Sequence, residues 1–287
     1  MNALRLLWSI LRKKPSYLIA TIILVFFAFL AIFGPMFYPN GVPSNPADLY
    51  APPSWQWPLG TDYAGNSTFA QIVIGARYVL SVAALAAVFT MFIGVTLGVL
   101  SGFFGGAVDT VIMRITDFIL TLPSYPLLII IAATVPISGP VPMALLLSIN
   151  SWGGLARAIR SQVLSLKKQD YIEAARVLRL GSGHIAFRQI MPLMMPYIVM
   201  HLILAVTGAV YGETGLFFLG IVPIEATNWG VMLNYAYSQA GAIYSPSSVF
   251  YLASPLAAIL LLQLSSVTFS DALNDFFNPQ LRSAYAD

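Results

Sequence analysis

Cysteine is missing from this chain of 287 residues, and histidine occurs only twice, as His184 and His201. Without cysteine there is no disulfide framework, no thiolate metal site and no cysteine nucleophile. Two isolated histidines do not make a histidine-rich metal cluster. Charge is also scarce, with Asp, Glu, Lys and Arg together at 9% of residues. No G-x-x-x-x-G-K-[ST] run occurs, so the chain cannot cradle nucleotide phosphates by that device. No H-E-x-x-H, internal repeat, heptad or low-complexity tract occurs either.

What the chain does have is apolar length. Apolar residues make up 58% of it and the mean hydropathy is +0.80, against roughly 45–50% apolar residues in soluble domains. This is the composition of an integral membrane protein. A bilayer core about 30 Å thick calls for roughly 20 apolar helical residues per crossing. The first run, Tyr17–Tyr38, follows Arg12-Lys13-Lys14 directly. It exceeds the apolar region of a signal peptide and has no clean small-x-small cleavage site behind it, so it reads as an uncleaved span. A second run covers Tyr78–Gly102 and a third starts near Asp109. From Phe118 to Ala156 there is no charge, a stretch that would reach about 58 Å as one helix. Pro136, Gly139, Pro140 and Pro142 divide it into two spans joined by a tight turn. A fifth run covers Pro192–Leu219 and a sixth Val249–Ser270.

The expected fold is therefore an all-α polytopic membrane protein with six transmembrane helices and both termini cytoplasmic. With the N-terminus inside, 13 of the 14 Lys and Arg fall on the inner side, and only Arg77 lies outside. That bias sets the orientation. Residues 1–76 form an N-terminal tail, the first transmembrane helix and an external loop. Residues 77–287 form a core of five transmembrane helices with a polar loop at about 157–192.

The external segment Pro39–Gly75 is rich in Pro, Trp and Asn, and reads as an ordered loop too short to bury a core of its own. The second, Ile221–Ser248, carries Asn228-Trp229-Gly230 and several Tyr, which read as interface anchors or as contacts to a delivered substrate. Gly94, Gly98 and Gly102, and again Gly208 and Gly212, recur every four residues, a spacing that lets helices approach closely in lipid. Arg114 and Asp117, three apart, are expected to pair. Glu213 is placed near the outer boundary, in a bundle-stabilising or interfacial role or at an external gate. His201 reads as a packing residue rather than a ligand.

The remaining signal is a polar island between the fourth and fifth spans. Arg157–Arg188 holds seven basic and two acidic residues. The basic surplus at its ends, Arg157 and Arg188, reads as topological. Asp170 and Glu173 resemble a capping box and predict a helix from Tyr171. Tyr171, Ala174, Ala175 and Leu178 are expected on its contact face, Gly181 and Gly183 at its end, and a second short helix over His184–Met191 before Pro192 opens the fifth span. A short amphipathic helix with small residues on one face suits a groove on another protein, and Glu173 can accept charge-assisted hydrogen bonds there.

Glu173-Ala174-Ala175, with Ile190 and Pro192 following at offsets of 17 and 19, resembles the EAA loop of ABC importer permeases. The resemblance extends to the dipeptide/oligopeptide/nickel permease family, and within it to the smaller C-type permease. Pro58-Leu59-Gly60-Thr61-Asp62, Gly75-Ala76-Arg77, Gly102-Phe103-Phe104-Gly105-Gly106, Phe187-Arg188-Gln189-Ile190-Met191-Pro192, Phe218-Leu219-Gly220 and Asn228-Trp229-Gly230 carry it in order along the chain. Where relatives have a glycine six residues after the glutamate, this chain has Arg179.

The resemblance implies coupling helices that dock cytoplasmic ATPases through Asp170, Tyr171, Glu173, Ala174, Ala175, Leu178, Gly181, Ile190 and Pro192. It also implies a homologous second permease, two ATPase subunits holding ATP and Mg, an external solute-binding protein, and a place in the cell membrane. No cofactor, metal or nucleic acid is expected on this chain, and no catalytic residue. The implied cargo is short peptides or related small solutes, with oligosaccharides or chelated nickel as alternatives. An ion-coupled secondary transporter or channel would instead need mid-membrane carboxylates or broken helices. An intramembrane enzyme would need a reactive constellation at one depth.

Overall fold

The computed structural model describes residues 10–12, 14–178, 180–222, 227–239 and 248–277. The first long helix is α1, Pro15–Phe37, opened by a proline that needs no hydrogen-bond partner in the first turn. Next is α2, Thr68–Phe104, where the Ser67 hydroxyl accepts the Ala70 N–H at 3.3 Å as an N-cap. It starts ten residues earlier than expected because that cap precedes the apolar run. After it come α3, Gly106–Thr121, α4, Ser124–Thr134, and α5, Pro140–Leu166. The short α6, Asp170–Val177, is followed by Ser182–His184 and a π-helical turn, Ile185–Ile190, which leads straight into α7, Met191–Phe218. The last two helices are α8, Trp229–Ser238, and α9, Val249–Phe277. Among the described residues there are no strands, only the isolated bridges Ser44–Asn66 and Thr61–Ser67.

Four segments are long and apolar enough to cross a bilayer: Pro15–Phe37, Thr68–Phe104, Ser182–Phe218 and Val249–Phe277. The third expected span is not straight: α3 and α4 meet at 87° and make a fifth crossing only as a bent pair. Leu122 sits at ψ 132, outside the helical region, as the residue ahead of Pro123 tends to. The expected break between the third and fourth spans is present, with α4 ending at Thr134 and α5 starting at Pro140 behind Gly139 at φ 80.

Pro192 falls in the first turn of α7, as expected, yet no break precedes it. The Met191 N–H reaches back five residues to the Ala186 carbonyl, so a π turn carries the helix through the missing proline donor. The chain from Ser182 to Phe218 is accordingly one helix of 37 residues.

The glycines of α2 set its packing. A Cβ on Gly94 would meet the Leu155 side chain at 2.7 Å, one on Gly98 the Ala156 carbonyl at 2.6 Å, and one on Gly102 the Val163 side chain at 2.8 Å. The glycine stripe thus receives α5 along its length. The second series behaves differently: Gly212 faces Leu147 at 2.8 Å, whereas a Cβ on Gly208 would meet nothing within 4 Å.

Helix ends are tied in pairs. Gly34 near the end of α1 lies against Val73 near the start of α2, so the two run antiparallel. The start of α1 meets the end of α9, where Lys14 bonds Asp275 at 2.9 Å and Tyr17 bonds the same carboxylate at 3.0 Å. The segment between α1 and α2 is ordered around Asp62, which accepts the Ala64 N–H at 2.8 Å, the Asn66 N–H at 2.9 Å and the Gln71 amide at 2.8 Å.

Trp229 is not an interface anchor. It is fully buried, and its indole donates to the Ile72 carbonyl at 3.0 Å. The bundle core closes around it, with Phe27, Val79, Leu216 and Tyr251 in the same cluster.

Candidate functional site

The polar island folds as a hairpin seated on one end of the bundle. α6 opens at Asp170, one residue earlier than expected, with the Gln169 carbonyl accepting the Glu173 N–H at 3.3 Å. It closes as the Leu180 N–H reaches back to the Ala175 carbonyl at 3.2 Å, and the chain then reverses through the exposed Gly181.

Two faces of this hairpin do different work. Ile172 and Ala175 turn inward and join Ile185, Ala186 and Ile190 in a cluster with Phe103 of α2 and with Ile159 and Val163 of α5. Ala175 was expected on an outward contact face, but only 4% of it is exposed. The helical period puts it one turn from both Tyr171 and Ile172, and packing with Ile172 takes it inward. Tyr171, 47% exposed, and Leu178, 73% exposed, face outward. Glu173, Gly181 and Pro192 are exposed too. The side chain of Ala174 and the whole of Arg179 lie outside the described residues.

The base of the hairpin is held by charge. Arg160 of α5 grips Asp109 of α3 with two parallel bonds of 2.5 Å, from Nε and Nη2 to the two carboxylate oxygens. The Ser101 hydroxyl at the end of α2 also bonds Asp109. Lys167 donates to the Phe103 carbonyl at 2.6 Å. Asp117 pairs with Arg157 at 2.7 Å, a correction to the expected pairing with Arg114. Arg157 sits on the neighbouring α5, so the carboxylate bonds across helices and not along its own. Arg157 is therefore more than a topological charge. The two ion pairs, 109–160 and 117–157, tie α3 to α5.

Glu213 lies far from the hairpin, near the end of α7. It is fully buried, and Asn228 donates its side-chain N–H to Oε1. Asn228 accepts the Gly230 N–H at 2.7 Å as the N-cap of α8. Glu213 thus fastens the α8 start to α7; its Oε2 has no hydrogen-bond partner among the described residues. His201 packs on Tyr197, with ring centroids 4.3 Å apart. No group of three metal-ligating side chains occurs among the described residues.

Comparison with known families decides which family this bundle and hairpin belong to. Residues 94–283 match the model of the binding-protein-dependent transport system inner membrane component. The chain belongs to this family. The matched stretch runs from the glycine stripe of α2 through the hairpin and beyond α9. Residues 2–53, which include α1, match the N-terminal transmembrane domain of oligopeptide transport permease C.

Similar curated proteins are permease subunits as well. The oligopeptide transport system permease protein OppC of Bacillus subtilis is 32% identical over 274 residues, 94% of this chain and 88% of that one. The dipeptide transport system permease protein DppC of the same organism is 30% identical over 277 residues, 96% of this chain and 85% of that one. OppC of Lactococcus lactis subsp. cremoris is 33% identical over 242 residues, 82% of each chain. The chain is a membrane-embedded permease subunit, not an enzyme.

Sequence reasoning missed Ile172, Ile185 and Ala186, which anchor the hairpin, and Asn228, which binds Glu213. The first three carried a signal in their helical spacing. Asn228 stood out only within Asn228-Trp229-Gly230, and its bond to Glu213 left no local mark because that partner lies in another helix.

Proposed function

We propose that this chain is one of two homologous permeases in an ATP-driven importer of the cell membrane, taking up short peptides delivered by an external solute-binding protein. Six crossings are read as α1, α2, the bent pair α3–α4, α5, α7 and α9. The meeting of α1's start with α9's end supports an even number, and the basic bias supports placing both ends in the cytoplasm. The names of the similar permeases support peptides as cargo.

One observation carries the mechanism: α6 has one face embedded in its own bundle and the other, with Tyr171, Glu173 and Leu178, left outward. A helix so divided transmits force. A cytoplasmic ATPase grips the outer face, and the inner face moves α2 and α5 with it. ATP and Mg reside on the two ATPase subunits and not on this chain. Nucleotide binding and the loaded binding protein each stabilise one arrangement of the bundle, and the cycle alternates between them.

The test is ATP-driven peptide uptake in vesicles carrying the Glu173→Leu variant. Uptake is expected to fall at least tenfold while the amount of chain in the membrane stays unchanged. Undiminished uptake would show that Glu173 is not part of the grip, and the docking role would be abandoned.

A further inference from the structure

The cavities of the bundle locate a surface that the family match does not. Two cavities, of about 260 Å³ and about 210 Å³, lie end to end along α7 and share Ser151 and Gly208 in their walls. The larger is lined by Ser124 and Tyr125 of α4, by Asn150 of α5 and by Tyr211 of α7. The smaller is lined by Thr90 of α2 and His201 of α7. On α7 the lining positions 201, 204, 205, 208, 209, 211 and 212 each have another of the set three or four residues away, so one side of the helix supplies them all. From 201 to 212 that face extends about 16 Å, half the thickness of a bilayer core.

Three observations point to a path and not a packing defect. Its polar side chains stand in a bundle otherwise dominated by apolar residues, where polar groups belong beside water or a partner. Asn150 keeps a buried Oδ1 that has no hydrogen-bond partner among the described residues, although its amide bonds Ser124. Gly208, unlike the glycines of α2, has no neighbour within 4 Å of where a Cβ would stand. Helix packing therefore does not call for a glycine at 208, and the position faces open space beside α7. α7 is also poorly covered: 17% of its apolar window is buried, against 50% for α2, which leaves room for a second permease to close the trough.

We infer that this trough is this chain's half of the translocation pathway, and that it passes its cargo by neutral hydrogen bonding. The inference rests on the permease reading above and adds the wall and its chemistry. No Asp, Glu, Lys or Arg lines either cavity. Ser, Thr, Asn, Tyr and His can exchange hydrogen bonds with the amide groups of a peptide without holding one sign of side-chain charge. Binding weak enough to release at each step is what conduction needs.

The natural lack of cysteine allows a direct test. Ser151→Cys and Ala205→Cys place a thiol in the trough, and Phe92→Cys places one on an exposed apolar position of α2. The assembled transporter in nanodiscs is treated with a charged, water-requiring methanethiosulfonate. Labelling of the first two is expected at least tenfold faster than in the Phe92→Cys variant, and slower when loaded binding protein and a non-hydrolysable ATP analogue are present. Rates equal to that of the Phe92→Cys variant in every nucleotide state would overturn the inference. Gly208→Phe gives a second readout: ATP-driven uptake should fall at least tenfold with the complex still assembled, and unchanged uptake would place the path elsewhere. The labelling rates without nucleotide are separable from the docking test, because they require neither an intact Glu173 grip nor knowledge of the cargo.

Discussion

The indole of Trp229 donates to the backbone carbonyl of Ile72 at 3.0 Å, joining residues 157 positions apart in the chain. The contact is possible because Gly75, one turn along α2, has no side chain; a Cβ there would stand 3.2 Å from Trp229 Cδ1 and 3.3 Å from the Thr227 carbonyl. Gly230, next to the tryptophan, is tighter still, at 2.7 Å from the Thr214 carbonyl. Two glycines and one indole therefore lock α8 to α2 and α7.

Removing the indole should open this lock. Trp229→Ala is expected to destabilise the bundle by about 3–5 kcal/mol, the range for deleting a large buried aromatic. Trp229→Phe keeps most of the apolar contact and loses one hydrogen bond, about 1 kcal/mol. Thermal unfolding of the purified transporter should place wild type, Trp229→Phe and Trp229→Ala in descending order of midpoint. Equal midpoints would mean that the site is not a structural lock.

At the other end of the bundle, Arg160 and Asp109 form a bidentate pair just below the hairpin. A double-mutant cycle with Arg160→Ala and Asp109→Ala should return a coupling energy of about 1–3 kcal/mol, measured by denaturant titration. Arg160→Lys should recover only part of it, because an ammonium cannot match both carboxylate oxygens. If the clamp also transmits force, ATP hydrolysis in Arg160→Ala should continue with little uptake. Normal coupling of hydrolysis to uptake in that variant would restrict the pair to stability.

The glycines of α2 and α5 give opposite expectations for one substitution. Gly98→Ala places a methyl 2.6 Å from the Ala156 backbone, which cannot move aside as a side chain would. A loss of about 1–3 kcal/mol from overpacking should outweigh the helical preference for alanine. Gly154→Ala on α5 meets nothing within 4 Å and should be neutral or stabilising, by up to about 1 kcal/mol. The yield of folded chain in detergent separates the two; equal yields would contradict the packing described.

Features set by periodicity and composition were legible before any coordinates. The long apolar helices, the proline-marked break before α5 and the glycine stripe at 94, 98 and 102 all follow from local spacing. Those that depend on a partner distant in the chain were not. Arg114 and Asp117 look paired along the helix, yet Arg157 reaches Asp117 from 40 positions away. Trp229 looks like an interface anchor until Ile72 and Gly75 are found beside it. Ala175 counts as a contact residue by its helical spacing from Tyr171, and only the cluster with Phe103 and Ile190 turns it inward. Pro192 signals a helix start, and the π turn that bypasses it leaves no local mark.

Glu213 permits the last separation, between a carboxylate that holds structure and one that acts in the cycle. Its Oε1 accepts the side-chain N–H of Asn228, and both residues are buried. Glutamine offers an amide oxygen in the same place, so Glu213→Gln should keep the bond, the thermal midpoint and ATP-driven uptake. Leucine offers no acceptor, and Glu213→Leu should cost about 1–3 kcal/mol for the stranded Asn228 donor and loosen α8. Limited proteolysis around residues 227–239 would report that loosening directly. If Glu213→Gln were as stable as wild type but inactive, the negative charge itself would be at work, and the residue would belong to the gate and not to the fastening of α8.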